Sequence, residues 1–435
     1  MNVTKERLIE AEKLLSDQNN DLAREAFLAL LNDCTYKQTY FLSKVGSALR
    51  KLKESEAFII KINELGFDLL KVNDFILQNY TWCLYDTRIK NYEISDDIEA
   101  YKQFVSASNI IVENCIQLPA EEGFKNPYIL TIKKCIKILK NKPSVNYHEI
   151  LKWINRLNPD LLSMNPYKVT DENGKEFSVA SDREFYYYIR SKALEKTEKY
   201  QECIECCEMG VKIFEGQKLH YRNHIWFVAR RFYCKCKLNM NQEEIKNYEE
   251  VARSHKFWYM YHKLSNLYFQ IGETRTALIY SLKALLSDKF DPEKMINLFY
   301  DIGMLLDANG KSDYAKLYYQ CTTYYRHKFR WNINEELRFI IRQKNIDFNV
   351  DVDRHKLRKT TVDLLLSYEK FEKGKISEIN FSKQFGFITS DTNQRVHFKL
   401  KMFSQKVTEN RKVIFKTGLS GQTNARETVV EAYVL

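Results

Sequence analysis

Apolar residues in the first three quarters of the chain recur at the three- and four-residue intervals of an α-helix. Two runs close to the start show this spacing, at Leu8, Ala11 and Leu15 and at Leu22, Ala26 and Leu30. The polar segment 17–20 lies between the runs, so the pattern predicts a helical hairpin. The 435 residues include only 6 prolines and 13 glycines. Because these residues interrupt helices, their scarcity favours long helices joined by short turns.

A degenerate repeat lies between residues 258 and 325. Its two copies are Tyr261, Leu264, Ser265, Tyr268, Ala277, Ser281 and Ala284, and Phe299, Ile302, Gly303, Leu306, Ala315, Tyr319 and Thr322. The spacing resembles that of a tetratricopeptide repeat, although the copies are 38 residues apart and that family has a period of about 34 residues. Fainter copies occur at 11–27 and 187–207. The resemblance implies a helical solenoid whose concave surface binds a peptide or a partner protein.

One segment interrupts the helical pattern. Residues 166–180 place Asn173 and Gly174 between two short strand-like runs, which predicts a β-hairpin. Ser181 and Glu184 follow in a capping-box pattern, whose side chains satisfy free amide groups at the start of the next helix. The hairpin is interpreted either as a structural insert between two helical arrays or as a finger that contacts a protein.

The pattern changes from helical to alternating near Gly374. Phe385 and Phe387 flank Gly386, so a strand would place both rings on one face and Ile388 on the other. Two neighbouring aromatic rings on a basic strand form a platform on which unpaired bases stack. The alternation therefore indicates a small β domain with a surface suited to nucleic acid.

Residues 374–388 resemble the opening of a cold-shock domain, Gly-x-Val-Lys-Trp-Phe-Asn-x-x-Lys-Gly-Phe-Gly-Phe-Ile, without insertion or deletion. The matching positions are Gly374, Ile376, Asn380, Lys383, Phe385, Gly386, Phe387 and Ile388. Residues 396–399 resemble a second strand of the family, Val-Phe-Val-His, with Val396 and Phe398 inside the domain, and residues 427–435 fit a closing strand. The resemblance implies a five-stranded OB-type β-barrel that binds single-stranded nucleic acid. The expected fold class is mainly α, a tetratricopeptide-like helical-repeat solenoid followed by this small barrel.

Several positions depart from the family pattern. Glu378 replaces a Trp, Ile379 replaces a Phe and Gln384 replaces a Gly, while His397 and Lys399 replace an outward Phe and His. The lost ring and the added negative charge predict weaker binding than in a typical member. Ten basic residues against five acidic ones after residue 373 offset this in part. The nucleic-acid-binding residues implied by the resemblance are Lys383, Phe385, Phe387, His397 and Lys399.

Residues 326–360 are strongly basic, with ten Lys or Arg against five Asp or Glu. They are interpreted either as an extension of a nucleic-acid path, since Lys and Arg bind phosphate, or as a solvated helix that caps the solenoid. Residues 354–373 are expected to form a connecting helix. The predicted organisation is an N-terminal helical-repeat region at 1–165, a β-hairpin insert at 166–180, tetratricopeptide-like repeats at 181–330, a basic connecting helical segment at 331–373 and a cold-shock-like domain at 374–435.

The cysteines invite comparison with a zinc site. Cys203, Cys206, Cys207, Cys234 and Cys236, with His220 and His224 between them, contain enough ligands for tetrahedral coordination. However, Cys203 and Cys207 fall at small-residue positions of a helical repeat, where cysteine behaves as a small buried hydrophobe. The second interpretation is favoured, so neither a metal nor a cofactor is expected.

No motif of a phosphate-binding loop, a serine-hydrolase elbow or a zinc protease occurs in the sequence, so a non-enzymatic protein is expected. The formal charge of +11 permits a polyanionic partner. The start of the chain lacks the apolar core of a signal peptide, and no apolar run reaches the roughly 18 residues of a membrane helix. With reduced cysteines, these features predict a cytoplasmic protein.

Together these patterns predict an adaptor that binds a protein partner through its helical repeats and single-stranded nucleic acid, RNA slightly preferred, through its C-terminal barrel. Two alternatives remain open. One is a protein-binding regulatory scaffold whose barrel no longer binds nucleic acid. The other is an accessory subunit of a separate nucleic-acid-processing enzyme. The oligomeric state does not follow from the sequence.

Overall fold

The computed structural model describes residues 5–120, 126–142, 144–287, 290–403, 407–419 and 427–435. These residues form two compact units, Met1–Phe227 and Val228–Leu435, and the division falls within a helix. Two of the ten basic residues counted after residue 373, Lys406 and Arg426, lie outside the described residues. None of the described helices is both long and apolar enough to cross a membrane.

The first unit consists of helical segments interrupted by one two-stranded sheet. Its elements are α1 (Lys5–Ser16), α2 (Asn20–Asp33), α3 (Thr39–Lys51), α4 (Ser55–Glu64), α5 (Asp74–Leu84), a π-helical turn (Tyr85–Ile89), α6 (Ile98–Asn114), α7 (Tyr128–Lys140), α8 (Tyr147–Ile154), a 3₁₀ turn (Pro159–Leu161), β1 (Tyr167–Thr170), β2 (Glu176–Val179), α9 (Asp182–Lys196), α10 (Tyr200–Ile213), a 3₁₀ turn (His220–Arg222) and the start of α11 (Asn223–Leu238).

The first helical hairpin is present, and in its second helix one predicted apolar position, Leu22, lies outside the core. Leu22 is half exposed, whereas Ala23, Phe27 and Leu30 are buried. The two candidate faces of α2 differ by one residue, and both satisfy a helical apolar spacing. Burial of the Phe27 ring, which removes more apolar area than any residue on the alternative face, accounts for the observed orientation.

The two-stranded sheet lies around the Asn173–Gly174 turn, with β1 and β2 antiparallel and Tyr167 opposite Val179. Gly174 adopts a left-handed backbone conformation, with φ +78°, which glycine does at little cost. Nearly all residues of both strands are exposed, so the hairpin extends from the helices rather than contributing to their core.

The second unit contains helices followed by a barrel. Its elements are the rest of α11, α12 (Gln242–His255), α13 (Trp258–Gln270), α14 (Thr274–Ser287), α15 (Pro292–Ala308), α16 (Ser312–Lys328), α17 (Glu335–Lys344), α18 (Arg354–Tyr368), β3 (Glu372–Asn380), β4 (Phe385–Ser390), β5 (Arg395–Lys399), a 3₁₀ turn (Leu400–Met402), β6 (Lys412–Leu419) and β7 (Glu427–Val434).

The repeat predicted at 258–325 corresponds to the helical hairpins α13–α14 and α15–α16. Within the first hairpin the Ser265 hydroxyl donates to the Ala277 carbonyl at 2.7 Å and lies 2.6 Å from the Ser281 hydroxyl. In the second hairpin Gly303 faces the Tyr319 ring, and a Cβ at residue 303 would lie only 2.8 Å from it. Small residues at the helix crossing thus permit close packing, as the repeat pattern predicts.

The connecting helix is shorter than expected. α18 ends at Tyr368, and β3 begins at Glu372 rather than after residue 373. Glu369, the C-cap residue of α18, has extended backbone angles, and its carboxylate pairs with Lys283 of α14. This ion pair draws the chain away from the helical path. This pairing could not be predicted from the sequence, because Lys283 and Glu369 are far apart in the chain.

The five C-terminal strands form a closed barrel in the order β3-β4-β5-β7-β6. All neighbouring strands are antiparallel except β5 and β7, which form a parallel pair through His397 and Thr428. The barrel core consists of Ile376, Ile388, Val396, Phe398, Phe403, Val407, Val413, Phe415, Val429, Ala432 and Val434. The predicted fold class, helical repeats followed by a small five-stranded barrel, is confirmed.

One side of the barrel packs against the helical repeats through a buried ion cluster. The Lys283 ammonium is 2% exposed and lies 2.9 Å from Glu369 and 3.1 Å from Glu431 of β7. Lys416 of β6 lies 3.1 Å from Glu369 and 3.8 Å from Glu431, and the Tyr433 hydroxyl donates to Glu431 at 2.6 Å. Two cations and two carboxylates therefore neutralise one another where the barrel meets α14.

Burial alone would raise the pKa of Glu431. The neighbouring Lys283, with Tyr433 and Lys416, outweighs this effect and holds the pKa of the carboxyl below its usual value. Beside the cluster, the Lys256 ammonium is also buried and donates to the Met402 carbonyl at 3.0 Å. Burial, reinforced by the charge of Lys283 and opposed by Glu431, lowers the pKa of Lys256 to about 8.

We expect Lys283→Met to destabilise the second unit by about 3 kcal/mol, the lower end of the range for a broken buried pair, because it leaves two partly buried carboxylates facing one remaining lysine. Urea unfolding would measure this change. The control is Lys294→Met, which removes an exposed lysine paired with Asp291 on the same helical array and should change stability by less than about 1 kcal/mol. Equal stabilities for the two variants would show that the cluster does not hold the barrel in place.

The lowered pKa of Lys256 predicts a pH dependence. Since the folded pKa of about 8 lies below the reference value of 10.5, the unfolded chain binds more protons between these values. The free energy of unfolding should therefore rise with pH over this interval. Lys256→Met should remove that rise. Urea unfolding of both proteins at several pH values tests this, and parallel profiles would contradict it.

Candidate nucleic-acid interface

The strand alternation of β4 directs its two phenylalanines to the outside of the barrel. Phe385 and Phe387 are partly exposed, while Gly386 and Ile388 are buried. Gly386 has no room for a side chain, since a Cβ there would lie 2.5 Å from both the Glu378 carbonyl oxygen and the Phe398 ring. The glycine thus lets β4 pass close to β3 and to the core while its neighbours face solvent.

The structure brings His397 of β5 to the same outer surface. Phe387 lies directly opposite His397 in the strand register, and Phe385 lies opposite Lys399. The imidazole centroid is 5.3 Å from the Phe385 ring and 5.7 Å from the Phe387 ring. These three rings, named here the ring cluster, form one partly exposed aromatic surface.

The ring cluster differs from the flat platform that the sequence suggested. The Phe385 and Phe387 rings are 5.8 Å apart and nearly perpendicular, with an angle of 87° between their planes. Aromatic rings favour this edge-to-face arrangement because the positive edge of one meets the negative face of the other. Because the two ring planes are nearly perpendicular, two parallel bases cannot stack on both phenyl faces at once in this arrangement.

A basic side chain that sequence reasoning did not assign completes the surface. The Arg395 guanidinium carbon lies 4.1 Å from the centre of the Phe387 ring, and Arg395 also forms an ion pair with Glu378. Glu378 and Arg395 remain about half exposed. The negative charge that replaces the family Trp is thus paired, and a planar cation lies over the phenyl face.

The β3–β4 turn supplies the remaining predicted residue and one that was missed. Lys383 is exposed, and its amide donates to the Asn380 side chain at 2.9 Å. Gln384, where the family has Gly, adopts a left-handed conformation with φ +58°, which costs a non-glycine residue about 1–2 kcal/mol. Phe381 in this turn is 54% exposed. Phe381 could have been identified as a candidate binding residue from the sequence, since it is an aromatic residue between the end of a strand and Lys383.

The basic segment at 326–360 is divided between two roles. Lys344 pairs with Asp307 at 2.9 Å, and the Arg326 side chain donates to the Asn332 carbonyl at 2.7 Å, so these residues stabilise the helical array. Arg358 of α18 instead donates to the Val434 carbonyl of the barrel. The part of the segment in α18 therefore borders the barrel.

A hydrogen-bonded chain that the sequence did not reveal occurs in the first unit. Glu184 accepts from the His220 ring Nδ1 at 3.0 Å, and His220 Nε2 lies 3.1 Å from the Ser178 hydroxyl. The other carboxylate oxygen accepts from the His220 amide at 2.8 Å and from Asn223 at 2.7 Å. Ser181 accepts from the Glu184 amide at 3.1 Å. Only the serine half of the predicted capping box is therefore seen, because Glu184 binds the His220 loop.

This Ser-His-Glu chain has the connectivity of a hydrolytic triad, but its surroundings favour a structural role. Ser178 lies on the exposed hairpin, open to water, whereas acyl transfer depends on oriented donors in a water-excluded site. Tyr221 and Arg222 follow His220 with φ of 49° and 58°. The carboxylate thus fastens a loop with unfavourable backbone conformations and attaches the hairpin to it.

The cysteines considered as zinc ligands are buried within helices. The Cys203 thiol donates to the Ser191 carbonyl at 3.2 Å, as Ser265 does to Ala277 in the later repeat. Nine of the ten cysteines are buried. Within the described ranges, no group of three or more His, Cys, Asp or Glu side chains is positioned to hold a metal ion.

Comparisons with known proteins provide no family assignment. No family model matches the chain, and no curated protein matches it. A crystal structure of a tetratricopeptide repeat protein from Parabacteroides merdae ATCC 43184 is similar over 78% of this chain and 98% of its own, with 12% identity and a TM-score of 0.29. The crystal structure of the P58(IPK) TPR domain is similar over 84% and 99%, with 11% identity and a TM-score of 0.26. At TM-scores this low, the description of the fold rests on the helical hairpins and the barrel themselves.

We expect Ser178→Ala to hydrolyse an activated ester, p-nitrophenyl acetate, at the same rate as the wild-type protein. The reason is that Ser178 lies on an exposed ribbon without a water-excluded pocket around it. Release of nitrophenolate, followed by absorbance, measures the rate. A loss of tenfold or more in the variant, with unchanged thermal unfolding, would instead show that the chain is catalytic.

Proposed function

We propose that this protein is a non-enzymatic adaptor whose barrel binds single-stranded nucleic acid at the ring cluster and whose helical repeats bind a protein partner. The observation that carries the proposal is the partly exposed group of Phe385, Phe387 and His397 on one outer face of a closed barrel. Aromatic side chains grouped on one strand surface offer faces on which unpaired bases can stack. The cold-shock resemblance of the surrounding strands favours single-stranded nucleic acid as the ligand.

The position of the ring cluster supports this function. The side of the barrel formed by β6 and β7 is covered by the helical repeats, where Glu431 and Lys416 are paired with residues of the helices or their ends. The ring cluster belongs to β4 and β5, on another side of the barrel. Packing of the barrel against the repeats therefore leaves the aromatic surface open to a ligand.

The proposed mechanism combines stacking with phosphate contacts. One base stacks on Phe385, and a second inserts beside Phe387, where it displaces or stacks on the Arg395 guanidinium. Lys383 and Lys399, both exposed at the end of the β4–β5 pair where Phe385 lies, contact the phosphates. Each stacked base contributes about 1–3 kcal/mol. Stacking accepts every base, so sequence preference is low, and His397 offers a hydrogen bond that favours the 2′-hydroxyl of RNA.

The helical repeats supply the second part of the proposal. Paired helices α13–α14 and α15–α16 stack in the manner of a repeat array, and such arrays present extended surfaces to peptides or proteins. The barrel is fixed on this array by the buried ion cluster. A protein partner bound to the repeats would thereby be held at a constant distance from the nucleic acid.

We expect Phe385→Ala combined with Phe387→Ala to weaken oligonucleotide binding by at least tenfold, because the variant removes the stacking surface. Fluorescence anisotropy of a labelled oligonucleotide, as RNA and as DNA, would measure the affinity. The control is Phe339→Ala, since Phe339 is also exposed but lies on α17. Thermal unfolding of each variant shows whether the barrel remains folded.

Two results would contradict the proposal. Absence of binding by the wild-type protein at low salt would favour the protein-binding scaffold. Equal binding by the wild-type protein and the folded double variant would show that nucleic acid uses another surface.

A further inference from the structure

A groove of about 650 Å³ lies between α18 and the barrel. Its lining includes six basic side chains, which are His355, Arg358, Lys359, Lys373, Lys375 and Lys412. Two carboxylates, Asp363 and Asp391, also border it. Cations therefore predominate, and this surface is named here the basic groove.

Local structure explains why these side chains share one groove. His355, Arg358 and Lys359 are separated by three and four residues, so they lie on one face of α18. Lys373 and Lys375 alternate with buried Gly374 along β3 and both point outward. Lys375 lies opposite Lys412 of β6 in the strand register. Two rows of cations, one helical and one on the sheet, thus face each other.

The positive charge of the groove is poorly compensated. In the described part of the chain, no ion pair involves Lys359, Lys373, Lys375 or Lys412. Lys375 and Lys412 are like charges on directly opposite positions, an arrangement that destabilises a sheet. The Arg358 guanidinium donates to the Val434 carbonyl, an uncharged acceptor, and burial, together with nearby Arg411, lowers the pKa of Arg358. An anionic ligand would relieve each of these unfavourable features.

The groove continues from the ring cluster along the outside of the barrel. Lys375 lies opposite Thr389, and Thr389 lies opposite Arg395, whose guanidinium covers Phe387. Thr389 is four residues from Phe385 on β4, which corresponds to about 13 Å along the strand. The same outer surface thus leads from the rings, past Arg395, to the lysines of β3.

We propose that the basic groove holds the phosphodiester backbone of the strand whose bases stack on the ring cluster, so that the ligand runs from β4 and β5 to α18. This inference rests on the proposed function and extends it to a second set of residues. The cations lie in two rows along the groove rather than converging on one point. Such an arrangement matches an extended chain of phosphates better than a single phosphate group.

The test compares two lengths of oligothymidylate on the full-length protein. An oligomer of about 4 nucleotides reaches only the ring cluster, whereas one of about 12 nucleotides reaches both surfaces. The test variant is Lys359→Gln combined with Lys373→Gln. Its control is Lys311→Gln combined with Lys316→Gln, which removes two exposed lysines from the helical repeats.

We expect the test variant to bind the long oligomer at least tenfold more weakly than the wild-type protein and the short oligomer equally well. A plot of log affinity against log salt concentration for the long oligomer should become less steep by about 1.4. Each phosphate contact on a single strand contributes about 0.7 to the slope, and the variant loses two contacts. The control variant should match the wild-type protein with both oligomers.

Other outcomes separate this inference from the proposed function. Equal effects of the test and control variants on the long oligomer would overturn the role of the groove, while loss of binding in the Phe385→Ala, Phe387→Ala variant would still support the ring cluster. Conversely, binding of the long oligomer could be weakened by the lysine substitutions but not by the phenylalanine substitutions. That result would support the groove and contradict the proposed function. Tight binding of inorganic pyrophosphate, lost in the test variant, would identify a small phosphorylated ligand and overturn the inference.

Discussion

The buried cluster of Lys283, Glu369, Glu431 and Lys416 fixes the arrangement of the second unit. Its four charges cancel, and each carboxylate contacts both ammonium groups, so charges that would be costly to bury alone are compensated. Glu369 lies just past the end of α18 with extended backbone angles and pairs there with Lys283. The cluster thus determines where the connecting helix stops, which side of the barrel is covered and which side faces solvent. Both the ring cluster and the basic groove follow from that orientation.

Features governed by short-range patterns could be predicted from the sequence. The helices of the repeats follow from apolar spacing, and the barrel strands follow from alternation around Phe385 and Phe387. Leu22 of α2 is exposed although the apolar spacing placed it in the core, because burial of Ala23 and Phe27 turns it toward solvent. Nothing local indicated that Arg395 would cover Phe387 or that Ser178, His220 and Glu184 would meet. Each of these contacts joins residues brought together by the tertiary fold.

Two of the positions that differ from the cold-shock pattern, Glu378 and Gln384, have identifiable structural roles. Glu378 occupies the position of a family tryptophan, and its ion pair holds the Arg395 guanidinium over Phe387. A guanidinium is planar and stacks on aromatic rings, so a flat cationic surface takes the place of a flat aromatic one. Gln384, where the cold-shock pattern has Gly, itself adopts a left-handed backbone conformation.

His397 belongs both to the ring cluster and to the strand pair that closes the barrel. It is one of the three partly exposed rings, and its backbone carbonyl accepts the Thr428 hydroxyl at 2.9 Å, where β5 and β7 form the seam that closes the barrel. A substitution at this position disturbs the seam as well as the surface. Loss of ligand in a His397 variant would consequently not identify a contact, and the neighbouring phenylalanines, which take no part in the closure, are the residues from which contacts can be inferred.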